Sequence, residues 1–385
     1  MDFRLTSEQR MIQEGVQRMV ARDIQPILDA HDAEQPLPKA AMRDILQLCA
    51  RQGLTSARVP ESAGGAGLPT LTYGLMMEQL PAVVVLAVLA QEVTATRVSF
   101  ESTAEQRERL LPDLCSARKI CCTGTTEPDV GSDPRMVTTR VREDGDALVI
   151  TGRKMWITNA AICDVINVTG EFGKNEQGLA NLIRVVVDRE ESPFETREIP
   201  TIGLRQGHLG EVVFDECRAR KANVLGKVGD AARVLTLTWL ANRPLLGLCA
   251  VGLAQRALDM SLRYAADRNQ FGRSIASYQL IQELLADIAT AVTTSRLTCY
   301  YALSSIDNGE RSNQISAMAK RFALAQCQRA ISLAMEIHGA MGLSRELGLE
   351  QLYRDARMLT VPDGTNQILT LIEGRELTGI QAYRR

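Results

Sequence analysis

The stretch Asp144-Gly145-Asp146-Ala147-Leu148-Val149-Ile150-Thr151-Gly152 sits inside a chain whose two ends read as helix. Asp-Gly is a strong short-range hairpin signal, and the run that follows is rich in residues that suit a pleated surface. Outward from it, Val165 to Gly170, Leu182 to Asp188 and Val212 to Phe214 also predict short strands. Gly, Pro, Asn and Asp punctuate them about every ten residues, the rhythm of an antiparallel barrel or sandwich.

The first ~118 residues carry helical periodicity instead. Thr6 followed by Gln9 predicts a capping box, and Met11, Ile12, Val16, Met19 and Val20 then recur at helical spacing. A second helix fits Lys39 to Gln52, ended by Gly53, and a further one fits Tyr73 to Val98. Between them, Val59 to Gly67 is a loop without the Lys-Ser/Thr of a P-loop or the strand that opens a dinucleotide fingerprint. From about residue 230 the chain is helical again, with one helix over Leu245 to Ala266, an Ala-rich one over Ser312 to Ala340, and a short one after Pro362. The expected organisation is α+β in three parts: helical over 1–118, β over 119–228 and helical over 229–385.

With 44 Lys plus Arg against 46 Asp plus Glu, the net charge is −2, which implies no polyanion partner. The longest apolar run, Pro81 to Ala90, is too short for a bilayer, and the first residues lack the apolar core of a secretion signal. Nine cysteines without a CxxC and three scattered histidines predict reduced thiols in the core and no metal centre. The expected setting is soluble and cytoplasmic.

Five segments concentrate chemistry-bearing residues: Thr126-Glu127-Pro128-Asp129-Val130-Gly131-Ser132-Asp133; Lys154-Met155-Trp156-Ile157-Thr158-Asn159; Arg268-Asn269-Gln270-Phe271-Gly272-Arg273 with Gln279; Glu336-Ile337-His338-Gly339-Ala340-Met341-Gly342; and Tyr353-Arg354-Asp355-Ala356-Arg357 leading to Asp363-Gly364-Thr365-Asn366-Gln367. Each alone has a structural explanation, as turn, core aromatic or solvated helix end. In this order they resemble the acyl-CoA dehydrogenase family, over essentially the whole chain from Asp2-Phe3 to Gln367-Ile368. Arg243-Pro244 through Leu258 is similar to the medium- and short-chain members.

The resemblance implies an N-terminal helical domain, a middle β-barrel, a C-terminal four-helix bundle, FAD between them, and a homotetramer. It implies α,β-dehydrogenation of an acyl-CoA thioester: a carboxylate removes the α-proton and a hydride passes to flavin N5, with electrons going on to an acceptor such as an electron-transfer flavoprotein. By family position Thr126, Gly131 and Ser132 lie against the flavin ring, Trp156 and Thr158 cover its other face, and Ser132 also meets the substrate. Arg268, Phe271 and Gln279 match positions that reach the FAD diphosphate and adenosine of a neighbouring subunit. Gly339 matches the loop at the adenosine half, where Glu336 and Ala340 depart from the family's Gln and Gly. Thr365 and Gln367 are expected at the cofactor, Arg243 and Gly364 at the substrate.

The base position departs from the family as well. Most members place Glu before the Gly-Thr pair, and this chain has Asp363; some place a base before the Arg matched by Arg243, and this chain has Asn242. Asp363 is therefore the expected base. An Asp base leaves open a nitroalkane oxidase-like offshoot or a flavoprotein working in the enoyl-CoA-reducing direction. A non-catalytic DNA-associated relative is disfavoured by the charge and by a C-terminus with no basic run beyond Arg384-Arg385. The run Val83 to Leu89 falls where relatives line the acyl pocket, with core packing as an equal explanation, and it has no Arg around Ala87 where dicarboxylyl-CoA users place one.

Overall fold

The computed structural model describes residues 4–174 and 180–382, so Asp2-Phe3 and Arg384-Arg385 lie outside the described residues. Helices come first: α1 (Ser7–Met19), α2 (Gln25–Asp29), α3 (Lys39–Arg51), α4 (Thr70–Met77), α5 (Ala82–Glu101) and α6 (Ala104–Cys115). The predicted capping box is present, with the Thr6 hydroxyl accepting from Gln9 N and Gln9 Oε1 accepting from Thr6 N. Gly53, at φ +76°, follows the C-cap of α3 in the left-handed region that favours glycine. The single helix expected over Tyr73 to Val98 is two helices. Pro81 lacks the N–H that would bond back to Met77 and becomes the cap of α5.

The sheet strands are β1 (Cys121–Gly124), β2 (Arg140–Asp144), β3 (Ala147–Thr158), β4 (Val165–Lys174), β5 (Ala180–Asp188), β6 (Glu195–Glu198), β7 (Leu209–Arg220) and β8 (Val224–Leu225). They pair in the order β6-β7-β3-β2-β4-β5-β8, with β1 added against β4. The antiparallel expectation fails at two joints, since β1 and β2 both run parallel to β4. β3 and β7 are each longer than their alternating patterns predict. Register shifts between Ile150 and Gly152 and between Lys154 and Ile157 break the period of two that the pattern relies on.

The C-terminal helices are α7 (Ala231–Asp267), α8 (Gln279–Asp307), α9 (Asn313–His338), α10 (Ala340–Leu343), α11 (Leu349–Met358) and α12 (Asn366–Thr378), with a small hairpin of β9 (Asn269–Gln270) and β10 (Arg273–Ser274) before α8. Helices α7, α8 and α9 pack on one another and α12 packs on α9. α7 begins well before the expected Leu245 and runs through Pro244. The Leu240 carbonyl, which Pro244 cannot bond, accepts from Ser316 Oγ at 2.8 Å instead.

One apolar cluster joins the N-terminal helices to α7, α8 and α9, and the sheet has its own. All nine cysteines are buried and unpaired. Val84, Val85, Ala87 and Val88 are fully or almost fully buried, so core packing accounts for most of that run. Helix α5 and Val234–Asp267 of α7 are long and apolar enough to cross a bilayer, more than the Pro81–Ala90 run suggested, but most of each is buried inside the protein. Two polar contacts bring the layers together near the sites below: Asn159 Nδ2 donates to Ala87 O, and Arg97 of α5 donates to Thr238 of α7.

Candidate active site

The loop after β1 is held from beneath by a charge pair. Glu127 is buried and its carboxylate accepts from Lys154 Nζ at 2.7 Å, from Thr138 N and Oγ1, and from Thr139 N and Oγ1. Burial pushes the Glu127 carboxyl up, but the Lys154 charge and these hydrogen bonds overcome it and bring it down to about 2. Burial brings the Lys154 ammonium down to about 8 against the pull of Glu127. The pair is ionised at neutral pH and anchors both the loop and the next strand.

That strand carries the second motif. Met155 N donates to Thr126 O at 2.9 Å, so the two motifs share a hydrogen bond. Between Lys154 and Ile157 the strand bulges, and Trp156 takes φ +62°. A bulky side chain at positive φ is a strained exception that clusters at functional sites. The bulge leaves the indole 51% exposed, where a barrel-core tryptophan would be buried. Thr158 is half-buried beside it, Thr126 is half-buried, and Gly131 and Ser132 are exposed. A Cβ at Gly131 would meet nothing within 4 Å, so no protein neighbour requires that glycine. An exposed aromatic, nearby hydroxyls and an open glycine backbone fit a flat heteroaromatic ring such as a flavin.

The Asp363 loop is built from the backbone outward. Asp363 has φ +53° and Gly364 φ +102°. Three carbonyls of the loop are held by buried cations: Lys320 Nζ donates to Pro362 O and, at 2.6 Å, to Gly364 O, and Arg243 Nε donates to Asp363 O at 3.2 Å. Thr365 caps α12, its hydroxyl accepting from Ile368 N. The carboxylate of Asp363 takes no hydrogen bond or ion pair among the described residues, and it is the charge that Lys320, Arg243 and Arg97 all feel most strongly. Burial drags the Lys320 amine down to about 7, with Asp363 opposing.

Arg243 is only 4% exposed; it also reaches Asn313 Oδ1 and lies over the Trp239 ring. Its contacts are with the loop that carries Asp363. Asn242 is engaged too, accepting from Arg58 Nη2 at 2.9 Å. The same Arg58 forks onto Glu92, a fully buried carboxylate of α5.

Sequence reading missed five residues here. Glu92 and Arg97 signal themselves only as two of three charges in an otherwise apolar helix; Arg58 is a lone cation in a loop and Lys320 one of three Lys and Arg in an Ala-rich helix; Glu127 lay inside a quoted motif without a role.

Arg268, Phe271 and Gln279 form a separate patch at the hairpin between α7 and α8. All three are exposed, Phe271 by 94% and with φ +51°, and Gly339 is exposed at the end of α9. Among the described residues no hydrogen bond or ion pair links them to the Trp156 or Asp363 regions. His338, beside Gly339, is buried and stacks on Tyr264. The Tyr353–Arg357 segment is structural: Asp355 accepts from Leu204 N, and Arg354 joins Glu34, Glu350 and Ile202 O. Gln367 is exposed on the first turn of α12. The described residues hold no group of three or more His, Cys, Asp or Glu arranged for a metal ion.

Comparison with known proteins agrees with this architecture. Three family models match in order: the acyl-CoA dehydrogenase N-terminal domain over residues 6–118, the middle domain over 122–217 and the C-terminal domain over 232–378. A probable acyl-CoA dehydrogenase of Bacillus subtilis is 33% identical, covering 98% of this chain and 100% of its own. A subunit of the caffeyl-CoA reductase–Etf complex of Acetobacterium woodii is 30% identical, covering 90% of this chain and 91% of its own. The solved structure of butyryl-CoA dehydrogenase from Megasphaera elsdenii superposes with a TM-score of 0.91 at 26% identity, over 98% of this chain and 100% of that one. The chain belongs to the acyl-CoA dehydrogenase family, oxidoreductases that act on the CH–CH group of acyl-CoA thioesters.

Proposed function

We propose that this protein dehydrogenates an acyl-CoA thioester between Cα and Cβ, with Asp363 taking the α-proton. The observation that carries the reading is a carboxylate without a partner among the described residues, on a loop whose backbone is pinned by Lys320 and Arg243. A general base needs that combination: a free acceptor, and a backbone that does not drift from the carbon it deprotonates. Asn242 has no carboxylate to offer, and Glu92 has its oxygens on Arg58.

FAD, when bound, supplies the acceptor for the β-hydrogen and its electron pair, while the α-proton goes to Asp363. Thr126, Gly131, Ser132, Trp156 and Thr158 would hold its ring side, together with Thr365 and Gln367. Arg268, Phe271, Gln279 and Gly339 would serve the diphosphate and adenosine of a neighbouring copy in a homotetramer. Their exposure in the single chain is what such a role requires, and a guanidinium gives charge-assisted contacts to a diphosphate. Ser132 and Gly364 are the substrate contacts, with Arg243 acting through the Asp363 carbonyl it holds. The relative named for an Etf complex supports an electron-transfer flavoprotein as redox partner.

The test is bleaching of the flavin absorbance by a panel of acyl-CoA thioesters. Asp363→Asn is expected to keep FAD and bind thioester while reducing its flavin at least ~100-fold more slowly, the low end of a positioned base's contribution. Undiminished reduction in that variant overturns Asp363 as base. Bleaching by nitroethane with no response to thioesters would instead establish the nitroalkane oxidase-like reading.

A further inference from the structure

The consecutive peptide units around Asp363 are all held from outside the loop. The two that flank it, Pro362–Asp363 and Asp363–Gly364, set its φ and ψ between them, because each unit is a plane. The carbonyl of the first accepts from Lys320 Nζ of α9, and that of the second accepts from Arg243 Nε of α7 at 3.2 Å. The next carbonyl, Gly364 O, accepts from the same Lys320 Nζ at 2.6 Å. One amine therefore straps the peptide before Asp363 to the peptide after Gly364. Both anchors are buried, on helices that pack against each other.

Packing alone does not account for this lysine. Among the described residues no carboxylate lies at ion-pair distance from it, and its burial is met by main-chain carbonyls. A buried ammonium is costly, and an apolar side chain of similar volume fills a core position better. What the strap holds is an uncommon conformation. Asp363 sits at φ +53°, in the left-handed region that side chains seldom enter and that Asp and Asn tolerate best. Its carboxylate leaves this backbone on one methylene, about 1 Å short of the reach of a Glu. A strapped backbone gives that carboxylate one reach and not a range.

We propose that Lys320 is a positioning residue for the dehydrogenation, holding Asp363 in the left-handed backbone from which an aspartate, and not the longer glutamate, meets the α-carbon of the substrate. This rests on the reading of Asp363 as base and adds what selects the length of its side chain. Lys320 touches no reacting atom; it acts through the two carbonyls it holds. Without the strap the loop takes a range of positions, and the advantage of the shorter acid disappears.

The experiment reads proton removal by itself. The FAD-loaded enzyme receives, in D2O, an acyl-CoA thioester whose β-carbon is replaced by sulfur, so that it has no β-hydrogen to lose. Asp363 takes the α-proton, the electron pair stays in the thioester enolate, and a deuteron returns to Cα from the exchanged acid. Deuterium uptake is followed by mass spectrometry. Asp363→Glu is expected to slow uptake by about tenfold or more, since a misplacement of about 1 Å can cost ~100-fold. Lys320→Met is expected to slow it by a similar factor with the Kd of the thioester unchanged. In the Lys320→Met background Asp363→Glu is expected to cost nothing further, whereas independent sites would multiply their losses. Lys320→Gln, which keeps two N–H donors on a stem one atom shorter, is expected to show an intermediate preference for Asp. FAD content and thermal melting establish that each variant folds, and Lys320→Gln decides if Lys320→Met does not. Asp363→Glu exchanging at the wild-type rate, or losing equally with and without Lys320, overturns the inference and leaves Asp363 as base. Undiminished uptake in Asp363→Asn overturns the reading of the base itself.

Discussion

At the residue scale, Lys320 shows how burial and the Asp363 loop are coupled through one amine. It has no measurable exposure, it bonds two carbonyls of the loop that carries Asp363, and burial brings its pKa from 10.5 down to about 7. The unfolded chain then binds more protons than the folded one between pH 7 and 10.5, so stability rises with pH across that window. Lys320→Met removes that contribution. Urea unfolding of wild type is expected to gain up to roughly 1.4 kcal/mol per pH unit over the variant's slope from pH 7 to 9. Parallel slopes would show that the amine is solvated and not trapped. Lys320 was invisible as a site residue in sequence, because one lysine in an Ala-rich helix reads as a solvated position. Asp363 was legible because it stands in a motif.

At the element scale, the bulge in β3 does what a regular strand cannot. One extra residue between Lys154 and Ile157 turns the indole of Trp156 outward at φ +62°, while Lys154 stays inside against Glu127. If Trp156 covers a flavin face, FAD binding is expected to quench much of the protein's tryptophan fluorescence, with the half-buried Trp239 as the other contributor. In Trp156→Phe most of the FAD-dependent quench is expected to vanish; a quench of wild-type size would place the indole elsewhere. The motif Lys154–Asn159 is legible as a concentration of chemistry-bearing residues, but the bulge is not, since register depends on the partner strand β7.

At the scale of the whole molecule, the two candidate patches on one chain face different tasks. The Trp156 and Asp363 regions are assembled from all three parts of the chain, whereas Arg268, Phe271 and Gln279 project from the α7–α8 hairpin. A homotetramer in which this patch reaches a neighbour's FAD couples cofactor binding to assembly. Arg268→Ala is therefore expected to lower FAD occupancy and to shift the oligomer to smaller species together, read by the absorbance ratio of flavin to protein and by light scattering. Loss of FAD with an unchanged oligomer would confine Arg268 to cofactor binding.

The sequence by itself determined the α–β–α order, the capping box at Thr6, the end of α3 at Gly53 and the place of Asp363. These depend on periodicity, caps and motifs, which are local in the chain. Only the tertiary structure decided the parallel joints of the sheet, the run of α7 through Pro244, and the buried charges of Arg58, Glu92, Arg97 and Lys320. Those features depend on partners far away in the chain: Ser316 for the Leu240 carbonyl, Glu92 for Arg58, Thr238 for Arg97. A buried charge is intelligible only with the group that faces it, because its energy is set by solvent exclusion and pairing rather than by its neighbours in sequence.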